Sequence, residues 1–152
     1  MKRRQRGHLM IELGISAGVL VTALAGAFQY GYIFYSYNQL VTAVGNGARY
    51  AAQRPYRSAT PEDIEKGRLA IRNMVAYGNP HPSGDERPVA PGLKPENVKI
   101  EWVMSDDGAP VAVDIAITGF EVNAVFGSMK LEGKPAVEFP YFGTYAPQES
   151  EK

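Results

Sequence analysis

An apolar run near the N-terminus constrains the fold of this chain more than any other feature. Residues 13–28 are sixteen consecutive positions without a charge, and low-charge flanks extend the run over residues 9–35, with Glu12 as the one interruption. At about 1.5 Å of rise per residue the uncharged core reaches about 24 Å, and with its flanks it can cross a hydrocarbon layer of about 30 Å. The sequence therefore predicts one transmembrane helix.

The residues on either side of this run predict its orientation. Four basic residues precede it within the first six positions, and an aromatic band follows it at Tyr30, Tyr32, Phe34, Tyr35 and Tyr37. Basic residues favour the cytoplasmic side, and aromatic rings favour the membrane–water interface. We therefore expect a cytoplasmic N-terminus and an exported remainder.

A secretory signal peptide is the alternative interpretation of the same segment. Ala23 and Ala25 satisfy the small-x-small cleavage rule, and a cut after Ala25 releases a soluble protein that begins at Gly26. Glu12 within the apolar region and a helical pattern that continues through Ala25 favour the membrane anchor.

The rest of the chain excludes several classes of function. Beyond residue 6 it holds 12 basic and 16 acidic residues, which argues against nucleic-acid binding because that requires a basic patch. Cysteine is absent, and His8 and His81 are far apart, so no metal-ligand cluster is indicated. No nucleophile motif or phosphate-binding loop is present, and Asp106 and Asp107 precede a glycine as in a solvated turn. We expect neither an enzyme nor a cofactor.

Small residues recur at every fourth position of the predicted span, at Gly14, Gly18, Thr22 and Gly26. This spacing lets a second helix approach closely in lipid. Glycine is also frequent in membrane helices generally. Two interpretations therefore stay open, a helix-packing face and ordinary membrane composition.

A second pattern predicts that the helix continues beyond the membrane as a stalk, to about Ala52 or Gln53. Its apolar residues alternate spacings of four and three, at Tyr30, Phe34, Tyr37, Val41, Val44, Ala48 and Ala51. This stripe can pack against the chain's own exported domain or against a second subunit. Gly45 and Gly47 weaken the helix by up to about 1 kcal/mol each, and we interpret them as a bend or a close contact.

A second helix and a set of strands are predicted in the exported region. Thr60 and Pro61 are typical of a helix start, Gly78 is typical of its end, and a loop with five prolines follows up to residue 95. This loop is either a surface excursion or a contact arm.

Alternating apolar residues predict the strands. Residues 98–104 and 111–118 alternate as in an antiparallel hairpin, and residues 136–142 contain a proline and fit an edge strand or an irregular tail. Residues 120–129 are interpreted as a connection. The predicted fold class is α+β, with four segments: a basic leader at 1–7, a transmembrane and stalk helix at 8–53, a second helix and proline-rich loop at 54–97, and a β-rich exported region with a hairpin or small sheet at 98–152.

Two short patterns delimit the long helix. A basic leader ends at Gly7, with Glu12 at the fifth position after it, and the stalk ends on motif positions that include Asn38, Gly47, Ala48 and Arg49. In this combination residues 6–52 resemble the TadE-like family, which are pseudopilins of the tight-adherence (Flp pilus) branch of the type IV pilus machinery.

The resemblance implies that a prepilin peptidase cuts the chain after Gly7 and leaves His8 as the new N-terminus. It also implies a single-pass protein of the bacterial inner membrane with a periplasmic C-terminal domain. Such a protein acts in pilus assembly and cell adhesion with other pilin subunits and the tight-adherence platform. The freed amine at His8 can be neutralised by Glu12, four residues further on, within one chain or in a neighbouring subunit. We therefore interpret Gly7, His8 and Glu12 as the processing site.

Overall fold

The computed structural model of the protein describes residues 3–56 and 61–144, with side chains described over 7–56 and 62–144. The first two residues of the leader, the expected helix cap Thr60 and the C-terminal residues 145–152 lie outside this part. The elements below confirm the predicted α+β class, with one long apolar helix, a second helix and small antiparallel sheets.

The first helix, α1, spans Arg3–Ala52 without a break. At about 1.5 Å per residue it is about 75 Å long. Its N-terminal half projects from the protein, because the residues from Gly7 to Leu24 are all exposed. The first buried position along the helix is Ser36, and from there to Ala52 one face of α1 is covered by the rest of the chain.

The predicted stripe on the stalk lies only partly on that covered face. Val44, Ala48 and Ala51 are fully buried against the chain's own domain, whereas Tyr30 and Phe34 at the other end of the stripe are exposed. A repeat of 3.5 residues drifts by about 20° per heptad around a straight helix of 3.6 residues per turn. The stripe therefore rotates out of the core toward the membrane end of the stalk, and Leu40 and Ala43 complete the inner face in place of Val41.

The second helix, α2, spans Pro61–Tyr77 and begins with Glu62 and Asp63 near its positive end. It ends where Gly78 adopts a φ of 74°, with the Gly78 amide donating to the Met74 carbonyl at 3.0 Å. The proline-rich loop then turns back, since the Val89 amide donates to the Ala76 carbonyl at 2.8 Å. Ala90 and Leu93 of this loop are buried in the core.

Three strands form a sheet that covers α1. A short 3₁₀ turn at Pro95–Asn97 leads into β1 (Val98–Met104), which pairs antiparallel with β2 (Pro110–Ile117) as predicted. The strand β5 (Ala136–Pro140) pairs on the other side of β2, so it is an edge strand. This outcome confirms the first of the two interpretations offered for residues 136–142, because a proline is tolerated at a sheet edge.

A second, two-stranded sheet occupies the segment that we expected to be a connection. The strands β3 (Phe120–Ala124) and β4 (Gly127–Leu131) form an antiparallel hairpin, so that expectation was wrong. Phe120, Val122 and Leu131 are buried and join the core formed by α1, α2 and β2. Burial of one face of each strand accounts for the hairpin, because two strands in water are marginal without such packing.

Candidate functional site

The predicted processing residues lie together at the start of α1. Gly7, His8 and Glu12 are all exposed, and His8 and Glu12 lie one turn apart on the same side of the helix, about 6 Å along its axis. Among the residues with described side chains, Glu12 makes no ion pair. Within residues 7–56 and 62–144 its carboxylate is therefore available to a further cation.

The helix surface that follows is apolar on every side. Its large side chains are exposed, including Leu9, Ile11, Leu13, Ile15, Val19, Leu20, Leu24 and Phe28. Within the described residues one helix, over residues 7–52, is long and apolar enough to cross a membrane, with a mean hydropathy of 1.9 in its most apolar window, none of which is buried by the domain. A surface of this kind fits a single-pass membrane anchor.

The glycine stripe forms an open groove along this surface. A Cβ atom added at Gly14, Gly18 or Gly26 meets no atom within 4 Å, so no packing within the chain requires glycine at these positions. The Thr22 hydroxyl donates to the Gly18 carbonyl at 2.9 Å, which satisfies it within its own helix. The groove is therefore free to receive another helix, and its walls are Gly14, Ile15, Gly18, Val19, Thr22 and Ala23.

Gly47 and Ala48 have a different role, in the contact between the two helices of the domain. An added Cβ at Gly47 would overlap Cγ2 of Val75 on α2 and lie 3.7 Å from Cδ1 of Ile115 on β2. Ala48 is fully buried beside it. Gly47 therefore marks a close contact of α1 with α2, while Gly45, where an added Cβ meets nothing, does not.

Arg49 and Asn38 lie at the edges of the same helix. The Arg49 guanidinium stands 5.9 Å from the centre of the Phe139 ring on β5, within the range of a cation–π contact. Asn38 is exposed, and its carbonyl accepts a hydrogen bond from the Thr42 hydroxyl at 3.1 Å. Asn38 also lines a shallow groove beside α2 with Gln39, Asn46 and Met74. The predicted motif residues thus divide between the core and the surface.

The model of the TadE-like protein family matches residues 7–49 of the chain. Over this stretch the first helix is similar to the TadE-like family. This match confirms the resemblance predicted from the sequence, and it runs from Gly7 through Glu12 and Asn38 to Arg49. The TadE-like segment and the long apolar helix together fit a membrane-anchored, pilus-related protein. No curated protein and no solved structure matches the chain.

The match ends inside α1, so α2 and all five strands lie outside the TadE-like segment. An aromatic cluster at the surface of this part of the chain was not predicted from the sequence. Trp102 is half-buried and packs edge-on against Tyr56 at 4.9 Å and Tyr141 at 5.8 Å between ring centres. The Tyr141 hydroxyl accepts from the Tyr56 amide at 2.8 Å and donates to the Arg54 carbonyl at 2.9 Å, which joins the segment after β5 to the residues that follow α1.

An ion pair on β1 is the clearest electrostatic feature of the domain surface. The Lys99 amine lies 2.8 Å from a Glu101 carboxylate oxygen, and both side chains are more than half exposed. Hydrogen bonding to Glu101 and its charge raise the pKa of Lys99 above its usual value. A solvated pair of this kind contributes little to stability and indicates no catalytic centre.

Proposed function

We propose that this protein is a TadE-like pseudopilin, a non-enzymatic subunit that a prepilin peptidase processes after Gly7 and that acts in the assembly of a tight-adherence pilus. The observation that carries the proposal is the pair Gly7 and Glu12 at the start of an exposed apolar helix, inside the segment that matches the TadE-like family. The protein then lies in the inner membrane with its N-terminus in the cytoplasm. Its proposed partners are the peptidase, other pilin or pseudopilin subunits and the inner-membrane platform.

The chemistry of Glu12 supports this role. A carboxylate costs roughly 2.5–3.5 kcal/mol at mid-bilayer and less toward the boundary, so a cationic partner stabilises Glu12 within an apolar membrane segment. Cleavage after Gly7 creates an ammonium group on His8 at the same end of the helix. In a stack of helices, pairing of one subunit's Glu12 with a neighbour's ammonium sets the axial register.

The intact mass of the protein recovered from membranes tests this proposal. With its peptidase present, we expect a chain that begins at His8, and without the peptidase a chain that retains the leader. The Gly7→Leu variant should retain the leader in both cases, because the substitution changes the residue before the cut bond. Gly31→Leu is the matched control, since Gly31 is an exposed α1 glycine far from that bond.

Two other results would contradict the proposal. A wild-type chain that keeps Met1 or Lys2 in the presence of the peptidase indicates an uncleaved, membrane-anchored binding module. A chain that begins at Gly26 and is recovered outside the membrane indicates a secreted protein cut after Ala25.

The open glycine groove predicts a helix–helix contact in the membrane. We expect Gly18→Leu to weaken self-association of the membrane-embedded chain by about tenfold, because the side chain fills the groove through which a second helix approaches. Ala27→Leu is the control. Ala27 is nine residues from Gly18 and so lies on the opposite face of α1, where leucine adds similar bulk outside the groove. Energy transfer between labelled chains in vesicles measures the association, and equal effects of the two variants would contradict the packing face.

A further inference from the structure

The β3–β4 hairpin ends in an exposed apolar tip. The last pair of its ladder is Ala124 with Gly127, which leaves Val125 and Phe126 as the tip. Their side chains are 82% and 71% exposed, whereas the base of the hairpin is buried in the core. Large apolar side chains at a turn usually mark a contact, because turns otherwise favour glycine, asparagine and other polar residues.

One side chain of α1 holds this tip at a defined height. The Phe126 amide donates to Oε1 of Gln29 at 2.9 Å, and Nε2 of Gln29 lies 3.4 Å from the Gly127 carbonyl. The hairpin thus reaches seven residues beyond Ser36, the first buried position of the helix, toward the membrane end of α1. Both ends of the Gln29 amide are used on the backbone of the hairpin.

Gln29 lies next to the end of a membrane span that begins at Leu9. Residues 9–28, which precede Gln29, span about 30 Å at 1.5 Å per residue, which equals the hydrocarbon thickness of a bilayer. The exposed rings of Phe28, Tyr30 and Tyr32 surround the same level of the helix. Aromatic side chains concentrate at this boundary between acyl chains and headgroups.

We propose that Val125 and Phe126 insert into the outer interface of the bilayer that α1 spans, so that the hairpin is a second membrane anchor. This inference rests on the transmembrane placement of α1 in the proposed function. The occupant is lipid because the tip continues the apolar surface of α1 at the height where that surface meets the headgroups. Two points of attachment hold the exported domain at a fixed distance and rotation relative to the membrane.

The charges of the hairpin indicate which part of the lipid is recognised. Glu121 and Lys130 face each other across the ladder, so this pair adds no net charge behind the tip. Insertion therefore depends on the apolar side chains and the acyl-chain boundary, and an anionic headgroup is not required.

A depth measurement on the full-length chain tests the second anchor. Because the chain has no cysteine, Phe126→Cys gives a unique site for an environment-sensitive fluorophore. In phosphatidylcholine vesicles with a spin label at carbon 5 of the acyl chain, we expect quenching and a blue shift of the label at position 126. Asp107→Cys is the control that should not be quenched. Asp107 is exposed in the β1–β2 turn. This turn follows Trp102, whose ring contacts Tyr56 just after the end of α1 that lies away from the membrane.

A third label separates failure of this inference from failure of the proposed function. Val19→Cys lies in the predicted span and should be quenched by lipids with a spin label near the acyl end. Quenching at position 19 without quenching at 126 overturns the second anchor alone and assigns the tip to a protein contact. Absence of quenching at 19 overturns the membrane span and with it both proposals.

Removal of the Gln29 amide tests the proposed positioning. Gln29→Ala in the Phe126→Cys background should reduce quenching at 126 and leave quenching in the Val19→Cys background unchanged. Undiminished quenching at 126 would overturn the role of Gln29 in setting the height of the tip.

Discussion

The Glu12→Gln variant is expected to reach the membrane and to lose its leader as the wild type does, but to fail to join a pilus assembly. Glutamine keeps the size and hydrogen-bonding groups of glutamate without its charge, so it cannot neutralise the ammonium group of a processed N-terminus. Two unit charges 4 Å apart attract by about 4 kcal/mol at an effective dielectric constant of 20. Loss of this attraction at every subunit contact is the largest functional effect that we expect from one substitution.

Co-purification of tagged pilus components with the membrane-extracted chain measures this effect. Glu62→Gln is the matched control, because Glu62 is an exposed helical glutamate whose 2.8 Å ion pair with Lys66 lies on the surface of α2. We expect this control to assemble normally, since exposed pairs contribute about 0–1 kcal/mol.

Two results would count against the pairing role of Glu12. Normal co-assembly of the uncharged variant would show that the charge is dispensable. A Glu12→Gln chain that keeps its leader would indicate that Glu12 is recognised by the peptidase and not that it pairs subunits.

The long helix was the part of the fold most visible in the sequence. Its apolar run, its stalk and its end near Ala52 are local properties of consecutive residues, so periodicity was sufficient to predict them. The face of the stalk that packs into the core was harder to predict from the sequence. A heptad pattern does not show whether the helix supercoils or stays straight. In a straight helix the apolar stripe repeats every 3.5 residues and the helix every 3.6, so the stripe drifts around the helix, and Phe34 is exposed while Leu40 is buried in the core.

The β3–β4 hairpin was missed because its turn lacks the usual sequence signals. Val125 and Phe126 stand where glycine, asparagine or aspartate typically mark a hairpin. The alternation of Phe120 and Val122 with Met129 and Leu131 was present, but Asn123 and Gly127 lie outside the two central turn positions, so no Asn-Gly or Asp-Gly pair marked the turn. The departure from ordinary turn chemistry is the observation that points to a contact at the tip.

The two ends of the TadE-like segment meet different surroundings. Near Gly14 and Gly18 the helix surface is open, and glycine there serves no contact within the chain. Near Gly47 the same helix is packed against α2 and β2. The sequence alone does not tell which of these glycines is packed within the chain. The partner of Gly47 is Val75, which lies 28 positions further along the chain and becomes a neighbour only in the folded domain.

Gly47→Ala is therefore expected to destabilise the C-terminal domain, although alanine is the better helix former. The added methyl group overlaps Cγ2 of Val75, which is 0% exposed and, as a β-branched residue, has little rotamer freedom to move aside. Overpacking of a core costs typically about 1–3 kcal/mol, whereas replacing glycine within a helix gains about 1 kcal/mol. The repulsion should exceed the gain, and Gly47→Val should be worse.

Gly45→Ala provides the matched comparison on the same helix, two positions away. An added Cβ there meets nothing within 4 Å, so the variant keeps the gain in helix propensity of up to about 1 kcal/mol without the clash. Denaturation of the detergent-solubilised chain, followed by fluorescence of Trp102 as its single tryptophan, reports the stability of the domain because that ring packs between Tyr56 and Tyr141. The midpoint should fall for Gly47→Ala and rise for Gly45→Ala. A midpoint that also rises for Gly47→Ala would mean that the contact between α1 and α2 accommodates the methyl group, and Gly47 would then have no packing role.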